Sequence, residues 1–504
     1  MKKFFLILCA TLCLLTSCGS PDANKINDKE LTVYNLDVQV DCQKKEIQAQ
    51  EDVCYVNGSE AVLDKVKFHL YPNAFKRKNS SLSVVSEYNF DTAYPNGFDS
   101  GYIDILSVAN NNGEELRYEI CGEEENILCV YLNNKIYPTE KADIHIDFFV
   151  KIPNIIHRFG YGENTINVGN FYPIACVYEN GDFVCDGYHY NGDPFYSEMA
   201  NYKATIKYDS TYILSASGEE DTKTKDGKKI SKIQTNRIRD FSFILSNKFL
   251  TKTAYEETTK TNCTYYYYSD ENPEQTLELI KQSLCTFSEL IGEYPYSTLN
   301  VAQSNFLHGG MEYPLLVFIS DAEMKRQDYY RVIVHEIAHQ WFYNLIGNNE
   351  YSEAWLDEGL TEYATMLFFE QNEQYGINYE QSIGNMLSSY QMFVDVYTDV
   401  FGELDTSMDR ALNEFKSEPE YTYCVYIKGV LMLDNLRSLI GDSSFFLGLK
   451  NYYNDNVYGI ARQDNFISAF QKASNKDISK IIKSWIDGTV ILQKASWQNV
   501  WKEI

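Results

Sequence analysis

Apolar and polar residues mostly alternate along the chain from residue 31 to about residue 255. In residues 34–41, for example, every second residue from Tyr34 to Val40 is apolar and the residues between them are polar. The same alternation recurs in three further stretches, namely 65–70, 144–148 and 202–208. Successive side chains of a strand point to opposite faces of a sheet, so a period of two predicts half-buried strands. We therefore predict a large, mainly antiparallel β domain over residues 31–255.

The period changes to that of a helix near Pro273. Leu277, Ile280 and Leu284 follow at spacings of three and four, and Gly292 lies just beyond the pattern. Proline is favoured in the first turn of a helix and glycine just after its end, so this stretch is predicted to be helical. Further helices are predicted at 328–346, 353–371, 428–440, 464–474 and 477–486. Residues 256–504 are therefore predicted to form a second, mainly helical domain.

The first residues are typical of a targeting segment. Two lysines precede the apolar stretch Phe4–Leu15, which is too short to cross a bilayer. Its end, Leu-Thr-Ser before Cys18, resembles a bacterial lipoprotein signal. The resemblance implies that residues 1–17 are removed, that Cys18 receives a diacylglyceryl anchor, and that residues 18–30 form the anchored cysteine and a tether. The protein is then expected to be extracytoplasmic and lipid-anchored to the bacterial cell membrane. An ordinary cleaved signal peptide is the alternative.

The composition narrows the possible partners. The 504 residues include 44 Lys and Arg against 71 Asp and Glu, a formal charge of −27. Nucleic-acid binding relies on clustered basic residues, so no nucleic-acid partner is expected.

Nine of the 12 cysteines follow Cys18, an odd number that cannot pair completely. Three pairs are close in sequence and are left open as hairpin disulfides: Cys42 with Cys54, Cys121 with Cys129, and Cys176 with Cys185.

The most informative motif is His-Glu-Ile-Ala-His at residues 335–339. Residues four apart share one face of a helix, so His335 and His339 can present both imidazoles to one metal ion. Glu336 is turned about 100° away and can face a water molecule on that ion. Zinc favours such nitrogen ligands, and a catalytic site uses a third protein ligand with the fourth position open. The alternative is a pair of histidines packed in a helical core.

The third ligand is predicted to be Glu358, which follows His339 after 18 intervening residues. A returning helix can deliver its carboxylate to the two imidazoles. Two histidines, a glutamate and water form a hydrolytic zinc site, in which Glu336 takes a proton from the water as general base. Glu362 lies one turn beyond Glu358 and is interpreted either as a carboxylate that orients His339 or as a solvated surface residue.

These motifs together resemble the aminopeptidase N-like zinc metallopeptidases, gluzincins that include leukotriene hydrolase. The resemblance rests on residues 335–339 with Glu358, on Gly-Gly-Met-Glu-Tyr-Pro at 309–314, and on Tyr-Ile-Lys-Gly at 426–429. It implies an N-terminal antiparallel β saddle domain followed by a mainly helical α+β thermolysin-like catalytic domain. It also implies one zinc ion per chain and peptide substrates with a free N-terminus.

The resemblance assigns further roles. Gly309, Gly310 and Met311 would form an edge strand that pairs with the substrate backbone, and Glu312 would bind the free α-ammonium group. Small residues let a peptide approach such an edge closely, and a carboxylate selects a charged amine. Tyr426 would donate a hydrogen bond to the oxyanion of the tetrahedral intermediate. The family has Asn where this chain has Tyr313, and its second amine-binding residue could not be placed on the sequence.

The sequence therefore predicts a lipid-anchored zinc aminopeptidase. One alternative is an endopeptidase or other zinc hydrolase of the same fold. Another is a non-catalytic surface binding protein, which is disfavoured because His335, Glu336, His339 and Glu358 are all present.

Overall fold

The computed structural model of the chain describes residues 31–78, 81–402, 404–490 and 492. The predicted signal peptide, Cys18 and the tether lie outside the described residues. The strands of the described part are β1 (Thr32–Asp41), β2 (Glu46–Val56), β3 (Leu63–His69), β4 (Tyr102–Asn110), β5 (Tyr118–Cys121), β6 (Ile127–Ile136), β7 (Lys141–Lys151), β8 (Phe159–Tyr161), β9 (Ile166–Val168), β10 (Ile174–Ala175), β11 (Tyr178–Glu179), β12 (Asp182–Phe183), β13 (Ala200–Asp209), β14 (Ile213–Ala216), β15 (Glu220–Lys225), β16 (Lys228–Ile238), β17 (Phe243–Ser246), β18 (Leu250–Glu256), β19 (Thr261–Tyr267), β20 (Thr298–Ser304), β21 (Gly310–Met311) and β22 (Leu316–Ser320).

The helices lie mostly in the second half of the chain. The α-helices are α1 (Phe90–Ala93), α2 (Pro273–Leu290), α3 (Arg326–Ala338), α4 (Glu358–Gln371), α5 (Tyr379–Phe401), α6 (Glu418–Tyr421), α7 (Lys428–Ile440), α8 (Asp442–Asn456), α9 (Gln463–Ser474) and α10 (Ser479–Ile486). Short 3-10 turns occur at Tyr71–Phe75, Glu123–Glu125, Ala354–Leu356, Glu373–Tyr375 and Leu412–Glu414, and a π-helical turn at Thr422–Ile427. None of the helices in the described ranges is long and apolar enough to cross a bilayer.

The N-terminal half is built from sheets, as its alternating pattern predicts. The largest has seven strands in the order β15-β16-β13-β1-β2-β7-β4. Its neighbours are antiparallel except for β1 and β13, which pair in parallel. Two four-stranded sheets, β10-β3-β6-β5 and β14-β17-β9-β8, and the β11-β12 hairpin complete this half. The buried residues of these strands form one continuous hydrophobic cluster, and strands such as β1 bury every second residue against it.

The C-terminal half begins with a mixed sheet in the order β18-β19-β20-β22-β21. The short strand β21 forms one edge and pairs antiparallel with β22. Helices α2 to α4 and α7 to α10 share a second hydrophobic cluster with this sheet. The predicted fold class, an antiparallel β domain followed by a mainly helical α+β domain, is therefore confirmed.

Several helices differ from the prediction. Helix α3 ends at Ala338 rather than at residue 346, because the backbone hydrogen bonds that follow join residues five apart instead of four. The N–H of Asn344 donates to the carbonyl of His339 at 3.1 Å, and the N–H of Leu345 donates to the carbonyl of Gln340 at 3.2 Å. The second predicted helix begins at Glu358, after a separate 3-10 turn, rather than at residue 353. Helices α5 and α8 were not predicted. On α5, exposed apolar side chains such as Met392 and Val400 obscure the polar face that the pattern requires.

A buried arginine joins the two halves beside the end of α3. Arg239, which is 2% exposed, follows β16. It donates through Nε to the carbonyl of Tyr343 at 2.6 Å, through Nη1 to that of Ser197 at 2.8 Å, and through Nη2 to that of Gly459. One guanidinium thus donates to three carbonyls that belong to different segments, two of them buried and that of Gly459 partly buried.

We expect Arg239→Ala to lower the free energy of unfolding by about 2 kcal/mol or more, since the buried carbonyls of Tyr343 and Ser197 lose their donor and each buried carbonyl left without one costs about 1–3 kcal/mol. Urea denaturation measures the change. Arg77→Ala is the matched control, because Arg77 is 54% exposed and pairs with Glu124 at the surface; it should cost less than about 1 kcal/mol. Equal effects of the two substitutions would contradict this role.

Candidate active site

The two histidines of the motif lie at the C-terminal end of α3 and point toward the first residue of α4. Nε2 of His335 and Nε2 of His339 are 3.2 Å apart. Oε2 of Glu358 lies 3.2 Å from each of these nitrogens. All three side chains are buried or nearly so. The structure thus brings together the three residues that the sequence predicts as metal ligands.

This donor set fits zinc. Ligands that surround zinc tetrahedrally at about 2.0–2.1 Å lie about 3.3–3.4 Å from one another, close to the 3.2 Å spacings between the Nε2 atoms and Oε2. The electrostatics agree: against the cost of burial, Glu358 and Glu362 raise the pKa of His335, and Glu312 and Glu358 raise that of His339 to about 9. The surroundings therefore favour a positive charge at the Nε2 atoms, which a metal cation provides.

The other ring nitrogens are fixed by acceptors. Nδ1 of His335 is 2.9 Å from Oε2 of Glu362, and Nδ1 of His339 is 2.9 Å from the carbonyl of Phe342. A proton on each Nδ1 leaves the Nε2 lone pairs free for a metal. The prediction that Glu362 orients His339 is wrong: Glu362 orients His335, and a backbone carbonyl of the turn after α3 orients His339.

Glu362 is itself held by a cation. Arg331, one turn before His335 on α3, donates through Nη2 to Oε1 of Glu362. Burial opposes the charge of Glu362, but Arg331 and then His335 hold its pKa down at about 2. The carboxylate therefore stays ionised, and an ionised acceptor raises the basicity of the His335 ligand.

Glu336 lies beside the edge strand β21. A methyl group at position 310 would lie 2.4 Å from Cγ and 2.6 Å from Oε1 of Glu336, so only glycine fits there. Burial raises the pKa of Glu336 to about 8, although His335 and His339 oppose this shift. A raised pKa makes the carboxylate a stronger base once it is ionised.

Tyr426 lies in the π-helical turn before α7. Its hydroxyl donates a hydrogen bond to Oε1 of Glu358, and its ring lies 6.0 Å from that of His335. Burial and the charge of Glu358 raise the pKa of Tyr426 well above its usual value. The hydroxyl therefore stays protonated at neutral pH, as a hydrogen-bond donor must. Such π turns are frequent at functional sites.

Glu312 follows directly after β21 and is 3% exposed. A carboxylate oxygen of Glu312, one of Glu336 and a ring nitrogen of His339 all lie within 4.8 Å of one another. Oε1 of Glu312 is buried and has no hydrogen-bond partner among the described residues. Gly309 and Gly310 line the cleft, whereas the side chain of Met311 is buried in the first hydrophobic cluster and only its backbone lies on the edge.

Tyr313 points away from the cleft. Its hydroxyl donates to Oδ1 of Asn170 at 2.8 Å, and its side chain is fully buried. A Cβ at Gly169 would lie 1.8 Å from that hydroxyl, so the chain needs glycine there. Tyr313 thus anchors the strand end that carries Glu312 to the N-terminal half.

The site opens into a cleft of about 380 Å³ between the two halves. The N-terminal half contributes residues that the sequence reasoning missed, namely Val84, His157, Arg158, Tyr188, His189, Tyr190, Asn191, Gly192 and Asp193. In the sequence, only one feature points to these residues: the alternation of apolar and polar residues stops between β12 and β13, in the polar and aromatic stretch 186–197. Arg158 forms an ion pair with Asp193 in this wall.

The nine cysteines of the described residues carry free thiols. The sulfur atoms of Cys176 and Cys185, one of the three pairs considered from the sequence, lie 3.9 Å apart.

Comparison with known proteins agrees with this geometry. Residues 275–485 match the Peptidase family M1 domain. The predicted resemblance to aminopeptidase N-like enzymes is therefore confirmed.

Relatives of the M1 domain include "Aminopeptidase N" from Lactobacillus delbrueckii subsp. lactis, 28% identical over 42% of this chain and 26% of the relative. They also include human "Aminopeptidase B", 28% identical over 40% of this chain and 31% of the relative. The chain thus spans between a quarter and a third of the length of these two relatives.

Solved structures extend the likeness beyond the M1 domain. An M1 zinc metallopeptidase from Deinococcus radiodurans covers 92% of this chain and 94% of its own at 15% identity, with a TM-score of 0.64. Its E323A mutant, bound to a Tyr-Ser-Ala substrate, superimposes with a TM-score of 0.63 at 16% identity over 92% and 94% of the two chains. At 15% and 16% identity these structures show the fold, and that fold agrees with the one predicted from the sequence.

We expect Gly310→Ala to lower kcat about 100-fold while zinc binding is retained, because the new methyl group would displace the Glu336 carboxylate and a shift of about 1 Å in a catalytic group costs that much. Steady-state kinetics and zinc content measure the two effects. Gly384→Ala is the matched control: Gly384 lies in α5 with no atom within 4 Å of the position of a Cβ. An unchanged kcat in Gly310→Ala would contradict the placement of Glu336.

We expect Glu362→Gln to weaken zinc binding about 10- to 100-fold, because the ionised acceptor behind His335 is lost. Competition with a chelator measures the affinity directly, without an activity assay. In the control, Glu370→Gln, the altered residue lies two turns further along α4 and pairs with Arg437 instead. Equal zinc affinity in Glu362→Gln and Glu370→Gln would show that Glu362 does not support the metal ligand.

Proposed function

We propose that this protein is a zinc-dependent aminopeptidase that hydrolyses N-terminal residues from peptides. The observation that carries the proposal is the position of Glu312. Its carboxylate lies within 4.8 Å of both Glu336 and the metal ligand His339. Consecutive Cα atoms are about 3.8 Å apart. A substrate whose α-ammonium group pairs with Glu312 therefore has room for one residue before the bond at the reaction centre.

The edge strand supports this orientation. Gly309 and Gly310 leave the backbone of β21 open toward the cleft, and β22 occupies only the other side of β21. A peptide can add to this edge by main-chain hydrogen bonds. The buried, unpaired Oε1 of Glu312 then gains a charge-assisted partner in the substrate's amine.

The geometry supports the remaining roles. His335, His339 and Glu358 would hold zinc, which supplies Lewis-acid polarisation of the scissile carbonyl and acidifies water. Glu336 takes the proton from the attacking water and passes it to the leaving amine. Tyr426 turns its hydroxyl from Glu358 to the oxyanion that develops on the carbonyl oxygen.

The test compares alanine 4-nitroanilide and an alanyl peptide with their N-acetylated forms. We expect the wild type to cleave only the forms with a free amine, and a chelator to abolish the cleavage. Glu336→Gln should lower kcat about 100- to 10,000-fold, and Tyr426→Phe about 10- to 1,000-fold, with zinc retained in both. Gly384→Ala serves again as the control variant.

Efficient cleavage of the acetylated peptide would favour an endopeptidase instead. Zinc-loaded wild type that cleaves none of the substrates would favour a binding protein.

We also propose that the protein is anchored to the outer face of a bacterial membrane through Cys18. The support is the sequence motif alone, since Cys18 lies outside the described residues. Incorporation of labelled fatty acid into the wild type but not into Cys18→Ala tests the anchor, and equal labelling would refute it.

A further inference from the structure

The cleft carries many more acidic groups than accessible cations. Its acidic lining residues in the described part of the chain are Asp193, Glu312, Glu336, Glu358, Glu362 and Glu418. The Arg and Lys residues of the lining are Arg158 and Arg331. Arg158 is 8% exposed and pairs with Asp193, whereas 37% of the side chain of Arg331 is exposed. Arg331 is therefore the cation in this lining that a substrate can reach.

The edge strand and α3 define a direction along the cleft. A Cβ at Gly310 would contact Glu336, and a Cβ at Gly309 would lie 3.2 Å from Val332, four residues earlier on α3. The step from Gly310 to Gly309 therefore leads toward the N-terminal end of α3, since Glu336 and Val332 lie about 6 Å apart along that helix. With the substrate's amine at Glu312, the residues that follow the cleaved bond extend in this direction.

Arg331 lies on that side. It neighbours Val332 and precedes His335 by one turn. Its ion pair with Glu362 uses Nη2, which leaves Nε and Nη1 free to form hydrogen bonds with another group. An extended chain advances about 3.5 Å per residue, so one or two residues beyond the scissile bond bring a C-terminal carboxylate to the level of Arg331.

We propose that Arg331 binds the C-terminal carboxylate of di- and tripeptide substrates, which makes short peptides the preferred substrate class of this site. The inference rests on the proposed aminopeptidase function. A guanidinium binds a carboxylate through directional, charge-assisted hydrogen bonds. Without Arg331, the acidic lining would repel the negatively charged end of a short peptide, whereas a long peptide carries that end out of the cleft.

The experiment measures kcat/KM for Ala-Ala-Ala and for its C-terminal amide, with alanine 4-nitroanilide as a third substrate. A hydrogen bond to a charged group contributes about 1.5–3 kcal/mol, which is about 10- to 150-fold. We expect the wild type to prefer the free acid over the amide by at least about 10-fold. The ratio should fall to about one in Arg331→Gln and be partly kept in Arg331→Lys.

The ratio of kcat/KM for the free acid to kcat/KM for the amide distinguishes carboxylate binding by Arg331 from its support of the metal site. Loss of Arg331 also frees Glu362, but weaker zinc binding slows the acid and the amide alike and cancels in the ratio. Arg326→Gln is the matched control, because Arg326 begins the same helix, pairs with Asp270 and does not line the cleft; its ratio should equal that of the wild type.

An equal ratio in wild type and Arg331→Gln would overturn the inference, as would a wild type without preference for the acid. Either result leaves the proposed function intact if alanine 4-nitroanilide is cleaved. A zinc-loaded wild type that cleaves none of the three substrates would overturn both.

Discussion

The site depends on the contact between one carboxylate and two imidazoles, in which Oε2 of Glu358 lies 3.2 Å from Nε2 of His335 and of His339. Burying three ionisable groups together is costly unless their charges are balanced. The helices contribute to this balance. The histidines lie at the end of α3, where the helix dipole favours positive charge, and Glu358 begins α4, where it favours negative charge. A cation held by the three ligands therefore lies where the end of α3 stabilises positive charge and the start of α4 stabilises the carboxylate that binds the cation.

The N-terminal half takes part in this site. The hydroxyl of Tyr313 donates to Asn170, the Asn170 amide donates to Asp240 at 3.1 Å, and the hydroxyl of Tyr343 donates to the same carboxyl. This network joins the strand end that carries Glu312 to the turn that follows His339. Burial raises the pKa of Asp240 to about 7. The departure of Tyr313 from the family pattern therefore belongs to the interface between the two halves, and it leaves the cleft beside Glu312 open.

The sequence predicts the ligands well because their geometry is local. Two residues four apart on a helix must share a face, so His335 and His339 need no tertiary information. The partner of Glu362 was predicted incorrectly because the choice between His335 and His339 depends on how α3 and α4 cross. The end of α3 was also misplaced, since the apolar Trp341 and Leu345 are buried equally well by a wider turn. Residues such as Arg158 and Asp193 reach the cleft only through the packing of the two halves, which leaves no periodic signal.

The unpaired oxygen of Glu312 connects stability to specificity. A buried acceptor without a hydrogen-bond partner costs about 1–3 kcal/mol in the folded protein. Oε1 of Glu312 has no hydrogen-bond partner among the side chains and backbone groups of the described residues, and an ammonium group that enters the cleft supplies one. A peptide whose amine is blocked cannot do so, and it also brings an uncharged group against a buried carboxylate. In the proposed function, discrimination between free and blocked N-termini would therefore come from the pairing of a buried carboxylate with a cationic amine, which a blocked amine cannot provide.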